Sequence, residues 1–158
     1  MRKLAANYVV SEIGDFLKNG IVMAEEDGTV AGYIDTKGDL AEIEQLIFHN
    51  GILIAGFTFE RKSIEIPLPE THHPIRSFVF QSSAGMNQFS IQNLIDLAKQ
   101  VQEQFTELKI PEILNEISEV LLSNGGFVKE NTPGIFLLIG TDLVGLHFTL
   151  KSRLKKIL

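Results

Sequence analysis

The stretch from Asn50 to Ile66, NGILIAGFTFERKSIEI, constrains this chain more than any other. Asn and Gly both tolerate the positive φ that a tight turn demands, so Asn50-Gly51 predicts a turn. The apolar run after it, Ile52 to Phe57, is short and branched enough to be a buried strand. Leu46-Ile47-Phe48 on the other side of the turn completes an expected hairpin. Thr58 to Ile66 then lies where a site would sit in an enzyme, just beyond the end of a strand.

Strand signals frame this stretch at both ends of the chain. Residues 2 to 10 end in Tyr8-Val9-Val10 and predict a first strand. Gly20 to Ala24 and Thr29 to Ile34 predict two more, joined at Asp27-Gly28, which is a strong hairpin signal. Asp39 to Gln45 is a short polar linker. Near the other end, Ile135 to Ile139 has the continuous apolar character of a buried strand, and Leu146 to Thr149 and Arg153 to Leu158 are two further candidates.

Between these ends the pattern changes. Three prolines and the adjacent His72-His73 make Pro67 to Pro74 turn-like. Phe78-Val79-Phe80 is a short strand candidate and Ser82 to Gly85 a loop. Ser90 suits a helix N-cap, and Ile91, Leu94, Ile95, Ala98, Val101 and Phe105 fall on one helical face. Pro111 suits the first turn of a second helix, with a stripe of Ile113, Leu114, Ile117, Val120 and Leu121. Asn124-Gly125-Gly126 is its stop signal.

At 158 residues, 44% hydrophobic and 22% charged, the chain can bury a real core as one ordinary domain. A net charge of -6 leaves no basic surplus for a polyanion, so no nucleic-acid partner is expected. The basic run Lys151 to Lys156 reads as the exposed face of a strand. With no cysteine, disulfides, thiol catalysis and thiolate metal sites are excluded. Met1 to Leu4 is followed by polar residues and not by an apolar h-region, and no apolar run approaches the ~20 residues of a membrane helix. A soluble, cytoplasmic protein without a membrane partner is expected.

Several of these segments together resemble the metal-dependent amidohydrolases. In that family a small β-sandwich hands over to the first strand of a (β/α)8 barrel, and Asn50, Gly51, Gly56, Phe57 and Glu65 match the junction. The meander over Val9-Val10, Gly20 to Val22 and Asp27 to Val30 is similar to the first half of the sandwich. The tail PGIFLLIGTDLVGLHFTLKSRLKKIL is similar to the strands that complete it. Phe80 to Ile91, ending in Gln88-Phe89-Ser90-Ile91, resembles the last barrel unit.

The resemblance implies the architecture and removes the chemistry. The two metal-binding histidines of the family fall on Arg61 and Ser63, and its metal-associated aspartate falls on Gln81. Arg61 is a permanent cation with no lone pair to give, and Ser63 is a poor zinc ligand. Gln81 offers a neutral amide where a carboxylate would serve as base or ligand. Length agrees, because a closed barrel takes ~250 residues and Thr58 to Gly134 is far shorter.

The remaining site candidates have ordinary structural readings beside the chemical ones. His72 and His73 could form a new site with Glu65 or Glu70, since zinc needs only three such ligands; a solvated proline-rich loop accounts for them as well. His49 beside a turn and His147 within a strand suit structural roles. Ser82 to Gly85 lacks the elbow pattern and matched acid and base of a serine nucleophile. Gly125-Gly126 lacks the lysine and hydroxyl pair of a phosphate loop.

The expected fold is therefore α+β: a β-sandwich of residues 1–57 and 134–158 with an insert, 58–133, of one or two strands and two helices. Leu4, Val9, Val22 and Ile34 should pack with Ile135, Leu137 and Ile157. The expected function is non-catalytic, a binding or assembly module without metal or cofactor, forming a homodimer. Two alternatives are a repurposed hydrolase with a new site at Glu65, His72 and His73, and a regulatory partner of a full-length amidohydrolase.

Overall fold

The computed structural model describes residues 1–11, 16–40, 45–55, 58–59, 91–124 and 134–158. Its centre is the pairing of two long strands, β1 (Arg2–Val10) and β5 (Leu46–Ala55), which run parallel from Lys3↔Leu46 to Val9↔Leu53. On its other edge β1 takes two antiparallel partners in succession, β2 (Phe16–Lys18) and β3 (Ile21–Ala24). β3 turns into β4 (Val30–Ile34) at Asp27-Gly28, as the sequence predicts. Gly28 has φ 88, and Asp27 Oδ1 accepts the Thr29 amide at 2.9 Å.

The far end of the chain joins the same sheet. β8 (Ile135–Ile139) pairs antiparallel with β5, and β9 (Arg153–Lys156) pairs with β8. The strand order is β4-β3-β1-β5-β8-β9, with β2 beside β1, giving seven strands. Beyond β9 the chain stays against β8, where the Ile135 amide donates to the Leu158 carbonyl at 3.1 Å. Leu158 also reaches the opposite margin of the sheet. A Cβ added to Gly28 would lie 2.9 Å from the Leu158 carbonyl carbon.

The insert is tied at its neck. β6 (Thr58–Phe59) pairs with β7 (Leu122–Asn124), placing Thr58 opposite Asn124. Between them lie helices α1 (Ile91–Gln104) and α2 (Ile110–Leu121), the two amphipathic segments that the apolar spacing predicts. The architecture among the described residues is thus mixed α+β with no closed barrel.

Side chains on successive residues of a strand point to opposite faces, and the buried residues divide accordingly. On one face Val10, Ile52, Ile54 and Leu138 meet Ile95, Ala98 and Val101 of α1 and Ile110, Ile113 and Leu114 of α2. On the other, Val9, Leu53 and Leu137 join Leu4, Val22 and Ile135, with Ile157 packed against them. Both ends of the chain therefore share one core. The helix stripes, where described, are covered by the chain's own sheet.

Four local expectations need correction. Leu46 to Ala55 is one continuous strand, not a hairpin, and Asn50-Gly51 is a bulge in it. The ladder steps from Ala6↔His49 to Tyr8↔Ile52, so two residues of β5 face Asn7 alone. Gly51 is required there, because its φ is 143 and a Cβ would sit 2.6 Å from the Leu138 carbonyl oxygen. Leu146 to Thr149 is not a strand: His147 makes an isolated bridge to Asp142 across a tight turn. Ile34, at the outer edge of the sheet, is 43% exposed and does not join the core. Finally, α2 runs directly into β7 before the Asn124-Gly125-Gly126 stop is reached.

Candidate functional site

Arg61, Ser63, Glu65, His72, His73 and Gln81 lie outside the described residues, as do Glu70, Ser82 to Gly85 and Gly125-Gly126. Among the described residues no group of three His, Asp, Glu or Cys is placed to hold a metal ion. The two remaining histidines are described: His49 lies in β5 and His147 in a turn beyond β8.

His49 lies in β5, beside the bulge. Its Nε2 is buried without a hydrogen-bond partner. Burial pushes its pKa below the ordinary imidazole value, and the positive charge of Lys155 acts in the same direction. With burial and Lys155 both opposing a proton on it, His49 suits packing better than proton transfer.

His147 belongs to a more developed site. The turn that carries it is built on Asp142, whose Oδ1 accepts the amides of Val144 at 3.0 Å and Gly145 at 3.1 Å. Those bonds hold the Asp142 carboxyl below its usual range, with His147 a smaller contribution. Paired backbone bonds between Asp142 and His147, at 3.0 and 3.2 Å, close the turn. The two side chains face each other, with His147 Nδ1 3.8 Å from Asp142 Oδ2. Gly145 is squeezed between them, since a Cβ there would lie 2.7 Å from Asp142 Oδ2 and 2.8 Å from His147 Nδ1.

This turn packs on the end of α1 through Gln102, a buried amide only 6% exposed. Its Nε2 donates to the carbonyls of Phe105 and Leu108, and its Oε1 accepts the Phe148 amide at 3.2 Å. The Ile110 amide donates to the Leu146 carbonyl at 2.8 Å, tying the start of α2 to the same turn. One side chain thus fixes the end of a helix, the loop after it and a turn 46 residues away in sequence.

Between these fixed parts is a cleft of about 330 Å³. Lys99, Gln102, Glu103 and Thr106 form one wall, and the segment from His147 to Leu150 forms the other. Lys99 Nζ donates to the Leu150 carbonyl at 3.3 Å and lies 3.6 Å from Asp96 Oδ1. The Thr149 hydroxyl donates to the Gly140 carbonyl and accepts the Lys151 amide at 3.1 Å, so it is held by backbone and not by an imidazole. The arrangement offers charge and shape for binding.

Sequence reasoning missed this site. Gln102 sits on α1 next to the apolar Val101 and looks like an ordinary polar-face residue. The available signal was Asp142-x-x-Gly145, an Asp placed to bond its own backbone two and three residues on. No family model, no curated protein and no solved structure matches this chain.

Proposed function

We propose that this chain is a non-catalytic binding or assembly protein related to the metal-dependent amidohydrolases, in which the catalytic barrel is reduced to the insert 58–133. The observation that carries this reading is the way the chain is divided. Strands from before residue 56 and after residue 134 hydrogen-bond in one sheet, while Thr58 and Asn124 pair across the neck of the insert. The resemblance divides the chain at the same places, with sandwich strands at both ends and barrel remnants between. Arg61, Ser63 and Gln81 stand where the family binds its metal, and none is an effective ligand or base.

Elemental analysis after purification without chelators tests the loss of the metal site. The expected result is no stoichiometric zinc, iron or manganese; one transition-metal ion per chain overturns the non-catalytic reading.

Self-association is the assembly we propose, and the first half of β5 supports it. Leu46 to His49 hydrogen-bond to β1 on one side, whereas β8 reaches only Ile52 to Ala55. Ile47 and Phe48 on that half are 53% and 43% exposed. Among the described residues no strand pairs with this edge. Edges of this kind favour pairing with another chain, and Leu46 to Asn50 carries no acidic or lysine side chain to oppose a second copy. A twofold homodimer joined antiparallel along this edge closes it. Light scattering should give twice the 17.6 kDa chain mass, and Ile47→Lys should restore the single-chain mass. A wild-type mass of one chain rejects the homodimer.

A further inference from the structure

The cleft between α1 and the His147 turn carries a combination of charges that its structural role does not explain. Lys99 and Glu103 are one helical turn apart and opposite in sign, a spacing that usually lets side chains meet at about 5–6 Å between Cβ atoms. They do not pair with each other. Lys99 lies 3.6 Å from Asp96 Oδ1 and donates one hydrogen bond, to the Leu150 carbonyl at 3.3 Å. Glu103 makes no ion pair among the described residues and is exposed. Both line the same cleft, whose opposite wall supplies apolar surface from Leu150, 85% exposed, while Phe148 is a core residue only 5% exposed.

The walls are also fixed before any ligand arrives. Gln102 bonds the Phe148 amide, and Asp142 holds the turn. Sites built on such locked elements lose little on ordering. A volume of about 330 Å³ is at the small end for ligand pockets, so it suits a compact molecule.

From these features we infer that the cleft binds a small free α-amino acid with an apolar side chain. Its carboxylate would meet the Lys99 ammonium, its ammonium the Glu103 carboxylate, and its side chain Leu150. Both charged ends are used, because Lys99 and Glu103 stand one turn apart on the same helix and a ligand with a single charge meets only one of them. This inference rests on the cleft alone and not on the amidohydrolase resemblance.

The test uses the full chain and three probes: leucine, N-acetylleucine, which lacks the ammonium, and leucinamide, which lacks the carboxylate. Amide NMR shifts locate binding and calorimetry measures it. Leucine is expected to shift Lys99, Glu103 and His147 to Leu150 with a Kd of about 0.1–1 mM, and each blocked compound to bind about tenfold more weakly. Glu103→Gln, an exposed and shape-conserving change, should weaken leucine about tenfold without moving Tm. Equal binding of leucine and N-acetylleucine would assign the cleft to simple carboxylates and overturn the inference. So would an absence of saturable shifts with leucine at about 10 mM.

Discussion

The Asn7 side-chain oxygen accepts the Gly51 amide at 2.7 Å, at the step where the β1–β5 ladder changes register. A bulge leaves one backbone donor out of the ladder, and here a side chain from the facing strand takes it up. Asn7→Leu keeps the volume but leaves that partly buried amide without an acceptor, a loss of about 1–3 kcal/mol. Asn7→Asp keeps an acceptor and should cost less. Gly51→Ala should cost more than either, because the new Cβ meets the Leu138 carbonyl oxygen. Urea denaturation of the three variants gives the order directly.

His49 makes stability depend on pH. Its folded-state pKa is lowered from the ordinary 6.5 by burial and by Lys155. The unfolded chain therefore takes up a proton first as pH falls. Its contribution is complete above 6.5, declines as pH drops from there to the lower folded value, and levels off below it. His49→Leu should flatten that part of the curve, as read from denaturation midpoints across the acid range.

Gln102 holds three backbone groups, of which the Phe148 amide is buried. Gln102→Leu preserves bulk and removes all three bonds. The expected loss is at least the cost of one buried unsatisfied amide, about 1–3 kcal/mol. Hydrogen exchange should show the damage concentrated at Phe105 to Ile110 and Asp142 to Phe148, with β1 and β3 protected as before.

Removing residues 134 to 158 takes away β8 and β9, and with them Ile135, Leu137 and Leu138, each 5% exposed or less. Both faces of the sheet lose buried residues, and the paired half of β5 gains an open edge. A fragment of residues 1–133 should be insoluble or melt without cooperativity by circular dichroism. A soluble fragment with a sharp transition contradicts the shared core.

The strands near both ends of the chain were legible because their signals are local: the Asp27-Gly28 turn, and the apolar run Ile135 to Ile139. The helices were legible for the same reason, since a stripe every three to four residues needs no knowledge of its partner. Asn50-Gly51 misled because a bulge and a tight turn make the same demand on Gly51, a positive φ. What separates them is Asn7, a side chain 44 positions earlier. β2, at three residues, is too short to register as a pattern. The cleft was illegible for a related reason, as Lys99 and His147 become neighbours only once the sheet brings α1 and the Asp142 turn together.

The position of β8 sets an order of events as the chain is made. β1 to β4 can form hairpins as soon as they leave the ribosome, because each antiparallel partner lies close by in sequence. β5 can then lie against β1, but its second half, Ile52 to Ala55, waits through the whole insert for Ile135 to Leu138. Until that pairing forms, an apolar strand has a bare edge, and contacts between distant segments are slow to close. The insert therefore acts as a delay between two halves of one sheet, and its length sets how long the nascent chain stays open to the wrong partner.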